Sequence, residues 1–482
     1  MNSLYTKLSK NKNSDNKLLI NKDIQKDNNV ILDNNKFNLN NSYIDKDFSF
    51  INYNMLNKEK ERYSEHKFFS EIINKVKNQP ESIQNEIITI INILDSENIN
   101  LKKLKEYSFK GLDESPTLRS LIWKLLLNYL PNNINKWEES LLNSRKKYEN
   151  IKLKAFDNNK VLKDHINKMF DRKVNNNCVK KSNINLLDIK ENTIKDAKNI
   201  NLKDKIKVKI KSHPLEIDKE SERKMNLELK EKKLYDEIYK DALRTKSYMN
   251  FFNQVVNYET NQTGCEILTN ILYIYSYENS CTFESNYNNN NNKKESVKTC
   301  NIKPIYSQGM NELAASILYC FSMDNNPYFK KYIEHDTYYC FSIMFSSLIE
   351  WYENDYINVP IKIREIENTL KQSDEALYTR IKTINLDLQF FLIRWITLCF
   401  SQEYEIPEIL RIWDSALAYY EENSNKTIEK FMKYYALSLL KISREKIIFG
   451  DFADAMIFIQ EDVSSINIDK VIDYLNKNYI IN

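Results

Sequence analysis

The chain has 482 residues, with 71 lysines and arginines interspersed among 67 acids for a net charge of +4, so the concentrated basic face that nucleic-acid binding requires is missing and no nucleic-acid partner is expected. Its four glycines, Gly111, Gly264, Gly309 and Gly450, stand alone and cannot write the usual phosphate loops, and its four histidines include no H-E-x-x-H pair. Seven scattered cysteines without a C-x-x-C pair argue against zinc ribbons and disulfide frameworks and point to a reducing cytosol.

Residues 1–60 are dominated by Asn, Lys, Asp and Ser and are expected to be a disordered arm. Helical spacing begins near residue 64, with Ile72, Ile73 and Val76, then Ile87, Ile88, Ile91 and Leu94, then Leu101 and Leu104 before Gly111. Ser115 and Pro116 suit a cap and first turn, after which Leu118, Leu121, Ile122, Leu125, Leu126 and Tyr129 form one buried face ending at Pro131. Residues 158–212 return to Asn and Lys and read as an insertion between helices; residues 281–301, with the Asn288–Asn292 run, read as a second.

Between those insertions, Leu234, Ile238 and Ala242 share one helix face, while Asp241 and Arg244 project from neighbouring turns. A Tyr-rich helix follows around Leu268 to Tyr275. The segment IKPIYSQGMNELAASILYCF then places Gln308 beside Gly309 in a turn that opens a helix burying Leu313, Ile317, Leu318 and Phe321. A glycine there is expected to let a partner's backbone come close. Further on, Asp336 is expected to cap a helix burying Cys340, Met344, Leu348 and Trp351, and Leu388, Phe391, Leu392, Trp395 and Cys399 make another. Pro407 starts a third through Leu410 and Trp413, and a fourth runs from Ile428 to Ile442. The fold class is all-α. No leader, lipid anchor or membrane span is expected.

Taken singly, Arg244 is a solvated helix charge and Gln308 a solvated turn residue. Together, several separated segments resemble the TBC-domain proteins, which activate GTP hydrolysis by Rab GTPases. Ile238, Asp241 and Arg244 match that family's I-x-x-D-x-x-R motif, with Thr245 following; Tyr306, Gln308, Gly309 and Met310 match its Y-x-Q-G-M motif. Arg119 and Trp123, Arg394 and Trp395, and Arg411, Trp413 and Asp414 match its supporting segments in order. The chain departs where the family has Gly-x-Pro, since Leu112 and Asp113 follow Gly111, and its loop between the two motifs is longer.

The resemblance implies a Rab-GAP-type domain over residues 64–480, with its core at about 105–450. It also implies a Rab-family small GTPase in its GTP form as partner, with Arg244 and Gln308 supplied in trans as catalytic residues and Ile238, Asp241, Thr245, Tyr306, Gly309 and Met310 supporting them. The chemistry is consistent with this. GTP hydrolysis builds negative charge on the transferring phosphoryl group, where a forked guanidinium and a water-orienting amide are the useful additions. The chain then performs no reaction of its own and needs no cofactor, Mg and GTP being bound by the partner. Its place is cytoplasmic and peripheral to endomembranes through that partner, in the regulation of vesicle trafficking. A catalytically inactive Rab-binding scaffold is the alternative; intact Arg244 and Gln308 favour the activator, because a scaffold has no chemical need for either. A helical-repeat scaffold lacks support because no fixed repeat period is found.

Overall fold

Apolar side chains recurring every three and four residues form helices almost throughout the computed structural model, which describes residues 72–74, 77–112, 116–157, 159–177, 219–290, 306–324, 326–352, 358–419 and 427–480. Helices α1 (Glu81–Leu94), α2 (Leu101–Lys110) and α3 (Pro116–Leu126) are followed by α4 (Trp137–Asp157) and α5 (Lys160–Asn177). The long helices α6 (Lys219–Arg244) and α7 (Gly264–Asn290) are separated by a short antiparallel pair, β1 (Val255–Asn257) and β2 (Gln262–Thr263). Next come α8 (Met310–Ser322), α9 (Pro327–Lys331) and α10 (Ile333–Ser346). The C-terminal part comprises α11 (Val359–Ser373), α12 (Glu375–Thr383), α13 (Gln389–Thr397), α14 (Ile406–Ala418), α15 (Thr427–Ile442), α16 (Arg444–Phe449), α17 (Phe452–Ile457) and α18 (Ile468–Leu475). The fold is all-α.

Local chemistry sets several boundaries. Asn100 caps α2 by accepting the Lys103 amide at 3.1 Å, and Asp374 caps α12 through the Leu377 amide at 3.0 Å. Pro407 lies in the first turn of α14, where Glu408 accepts the Glu405 amide at 3.1 Å. α7 packs on α4, α6, α8 and α10. α8 is buried at every residue except Tyr319, so it is an interior helix and not the one-faced helix its apolar spacing alone suggests.

α14 packs on α2, α3 and α8 and also on α15 and α18, which makes it the joint between the two halves of the chain. The buried Asp414 carboxylate on α14 accepts from the Trp123 indole at 2.7 Å, the Leu112 amide at 3.0 Å and the Arg119 guanidinium at 3.2 Å. The rings of Trp123 and Trp413 lie 5.9 Å apart beside it. Two of the supporting motifs therefore meet at one hydrogen-bonded carboxylate. Trp123, Trp395 and Trp413 are all fully buried, as core residues.

Some elements differ from their sequence reading. α3 ends at Leu126, because Asn128 takes a left-handed φ of 57° that short polar side chains tolerate, and Tyr129 lies beyond the helix although it is buried. α13 ends at Thr397, and Cys399 and Phe400 both turn left-handed, with φ of 48° and 61°. Residues 160–177 of the expected insertion form α5, which packs on α4 and α6 with Leu162 fully buried and its amide capped by Asn159 at 2.8 Å. α7 likewise continues to Asn290, into the second. The rest of both stretches and the arm 1–60 lie outside the described residues. Among those described, no helix is long and apolar enough to cross a membrane, and Cys265, Cys320, Cys340 and Cys399 are buried.

Asp336 is not a cap. α10 begins at Ile333, and Asp336 sits inside it, fully buried, accepting from Arg145 at 3.1 Å and from the Tyr129 hydroxyl at 2.8 Å, with Lys124 at 3.6 Å. Burial alone would raise its carboxyl, but the charges of Arg145 and Lys124 and the hydrogen bonds outweigh it and hold the group below the usual carboxylate range. Removing this carboxylate strands two buried cations, so Asp336→Ala is expected to destabilise the fold by about 3 to 5 kcal/mol in denaturant melts. A lowered folded value means the contribution is complete above the unfolded Asp value of about 3.9 and is lost as pH falls through the folded value. Asp336→Asn is therefore expected to flatten the acid limb of the stability profile below about pH 4.

Candidate functional site

The site begins at the C-terminal end of α6. Ile238 and Ala242 are fully buried and seat α6 against α7, which fixes the helix rotation and leaves Arg244, at the last helical position, 71% exposed. Asp241, one turn earlier on the buried side, accepts a hydrogen bond from the Arg244 guanidinium. The same carboxylate accepts from the Tyr306 hydroxyl at 2.8 Å. Burial first, then the hydrogen bond and charge of Asp241, push the Tyr306 phenol well above its ordinary value, so it stays a proton donor throughout the physiological range.

Tyr306 leads into the turn that holds Gln308, which is exposed, and Gly309, which is buried. Gly309 has a φ of 106°, and a Cβ built there would fall 2.4 Å from Leu398 Cδ2. This corrects the expectation of room for a partner's backbone: the space is filled from inside the chain by Leu398. Glycine is required by its dihedral and by that close approach. Met310, the next residue, is fully buried and starts α8 in the core.

A second set of bonds runs parallel to the first. The Gly309 amide donates to Asn311 Oδ1 at 2.9 Å, Asn311 Nδ2 donates to Thr245 Oγ1 at 2.8 Å, and the Thr245 hydroxyl donates to the Asp241 carbonyl at 2.8 Å. The two motifs are thus tied by a closed circuit through Asp241, Tyr306, Gly309, Asn311 and Thr245. Adjacent to Thr245, Lys246 turns left-handed with a φ of 45°, donates to the Ser401 carbonyl and pairs with Glu312 at 3.4 Å. Burial pushes the Glu312 carboxyl up against the opposing pull of Lys246.

Arg244, Lys246, Tyr248, Glu312, Arg394 and Glu403 contribute to the walls of an open groove of about 470 Å³. Arg394 enters it 41% exposed and is gripped bidentately by Glu403, at 2.6 Å and 3.0 Å. Gln308 stands in its turn outside the groove lining. Arg119 is occupied structurally by Asp414 and takes no part in the groove. Among the described residues no group of three or more His, Cys, Asp or Glu side chains is arranged to hold a metal ion.

Sequence reasoning found the residues of both motifs but not Asn311, Glu312, Lys246 or Leu398. A signal existed for the first two, since a polar Asn-Glu pair opening an otherwise apolar interior helix needs partners. None existed for Lys246 and Leu398, whose contacts join distant segments.

A family model described as the Rab-GTPase-TBC domain matches residues 193–448. TBC1 domain family member 13 of Homo sapiens is 25% identical over 398 residues, covering 77% of this chain and 92% of that protein, and the Mus musculus protein of that name is 26% identical with the same coverage. TBC1 domain family member 5 of Homo sapiens is 23% identical over 361 residues, covering 66% of this chain and 36% of that protein. The crystal structure of the Ypt/Rab-GAP domain of Gyp1p aligns with a TM-score of 0.54 at 16% identity, covering 82% of this chain and 97% of that one, which shows a common fold. With more than half of its length matched by the family model, the chain belongs to the RabGAP-TBC family.

Proposed function

We propose that this chain accelerates GTP hydrolysis by a Rab-family small GTPase in its GTP form, with Arg244 and Gln308 as the residues supplied in trans. The observation that carries this reading is the hydrogen-bonded circuit that ties the Arg244 helix end to the Gln308 turn while leaving both side chains exposed. Arg244 offers its guanidinium to the oxygens of the transferring phosphoryl group as charge builds there, and the Gln308 amide orients the attacking water. Asp241 holds the guanidinium at the end of α6 through their hydrogen bond. Nucleotide and Mg belong to the GTPase, so the chain contributes side chains to a reaction that its partner completes. Membrane residence then follows from the partner, on cytoplasmic endomembrane surfaces.

The test is a single-turnover hydrolysis screen against a panel of GTP-loaded Rab proteins. Stimulation of at least one member is expected. Tight binding to a GTP-loaded member with no stimulation of any would replace this reading with that of a Rab-binding scaffold. The screen also provides the assay for the turn itself. Gly309→Ala forces Leu398 aside at a left-handed position and is expected to destabilise the fold by about 1 to 3 kcal/mol. Displacing the Gln308 turn by even an ångström is expected to lower the stimulated rate on the order of 10²-fold, measured below the variant's melting range.

A further inference from the structure

Asn311 and Glu312, consecutive in the first turn of α8, reach back to Thr245 and Lys246, the two residues that follow Arg244. We propose that this two-on-two clasp is a positioning device, resting on the activity proposed above: it fixes the end of α6, and with it Arg244, against the Gln308 turn. Asn311, Glu312 and Lys246 then act on hydrolysis through the two exposed side chains without touching the nucleotide.

A helix end frays by default because its last carbonyls lack partners within the helix. Arg244 stands at such an end, with most of its side chain in solvent. The clasp supplies the missing restraint from α8, an interior helix packed on all sides. Thr245, Lys246, Asn311 and Glu312 are all buried, and buried polar groups are costly unless they bond to one another. Lys246 adds a second indication: a left-handed φ at a residue with a Cβ persists only where the surroundings over-determine it. Here they do, through Glu312 and through the Ser401 carbonyl. Ser401 also belongs to the loop whose Leu398 packs on Gly309, so one loop braces both sides of the clasp.

The first measurement needs no partner: hydrogen–deuterium exchange of the full chain with and without Asn311→Leu, which keeps the size and removes both hydrogen bonds. Faster exchange is expected in residues 241–248 as well as in 306–312, with 137–157 unchanged. A change confined to 306–312, or spread evenly over the chain, overturns the clasp, whatever the chain does to a GTPase. The second uses a Rab that the wild-type chain stimulates. Asn311→Leu and Thr245→Val are each expected to lower the maximal single-turnover rate about five- to tenfold at an unchanged half-saturating concentration. The double variant is expected to lose no more than either single one. Full additivity, or an effect on half-saturation alone, overturns the positioning role. If no Rab responds to the wild-type chain, the functional reading falls, while the exchange result still decides whether the clasp couples the two segments.

Discussion

Arg244→Ala is expected to lower the stimulated hydrolysis rate by roughly 10³- to 10⁵-fold while leaving the half-saturating concentration within a few-fold. The expectation of so lopsided an effect comes from where the charge is used. A guanidinium that meets charge developing only in the transition state adds little to ground-state association, so its loss appears in the maximal rate. Nor does the fold depend on it. Arg244 is mostly solvated, and its pairing with Asp241 across one helical turn stabilises α6 by only ~0.2 to 0.5 kcal/mol. Arg244→Lys is expected to recover little, because an ammonium lacks the planar fork that can reach two phosphoryl oxygens at once. Retention of most of the activity by Arg244→Ala would assign the cation elsewhere. Arg394 is then the candidate, since it enters the same groove, whereas Arg119 is held inward by Asp414.

The local features of this chain were legible in its sequence, and the long-range ones were not. Spacing placed the start of α14 and both ends of α15 to within a residue, because a proline in the first turn and an apolar stripe are local signals. Arg244 and Gln308 stood out for the same reason: each motif is a run of a few residues, and their joint occurrence carried the meaning. Asp336 was misread because an acid near the start of a helix resembles a cap, and only the folded chain brings Lys124, Tyr129 and Arg145 to it. Gly309 was misread in the same way, since the residue that claims its missing Cβ, Leu398, lies on a distant loop. Lys246 bonds to a carbonyl 155 residues away. No periodicity encodes such a contact. α5 escaped notice because its Asn and Lys content hides one buried leucine and a capping asparagine.

The Gln308 turn yields the sharper test, because it predicts an effect on the partner's own chemistry. In many small GTPases a glutamine of the GTPase positions the attacking water. If Gln308 takes that place, the GTPase's residue becomes redundant in the stimulated reaction, and a responsive Rab carrying Gln→Leu at its own catalytic glutamine is expected to remain appreciably stimulated. Gln308→Ala is expected to fail even on the unmodified Rab, with a loss of about 10²- to 10³-fold, the usual consequence of removing one well-placed hydrogen-bonding group at a transition state. Folding offers no rival explanation for that loss, since Gln308 is exposed and the turn is held by Gly309, Tyr306 and Asn311 through bonds that do not involve the Gln308 side chain. Equal thermal midpoints for Gln308→Ala and the wild-type chain are expected as the control. A completely refractory Rab variant together with a near-normal Gln308→Ala would make Gln308 a solvated turn residue beside a structurally required glycine, and would leave Arg244 as the single residue supplied in trans.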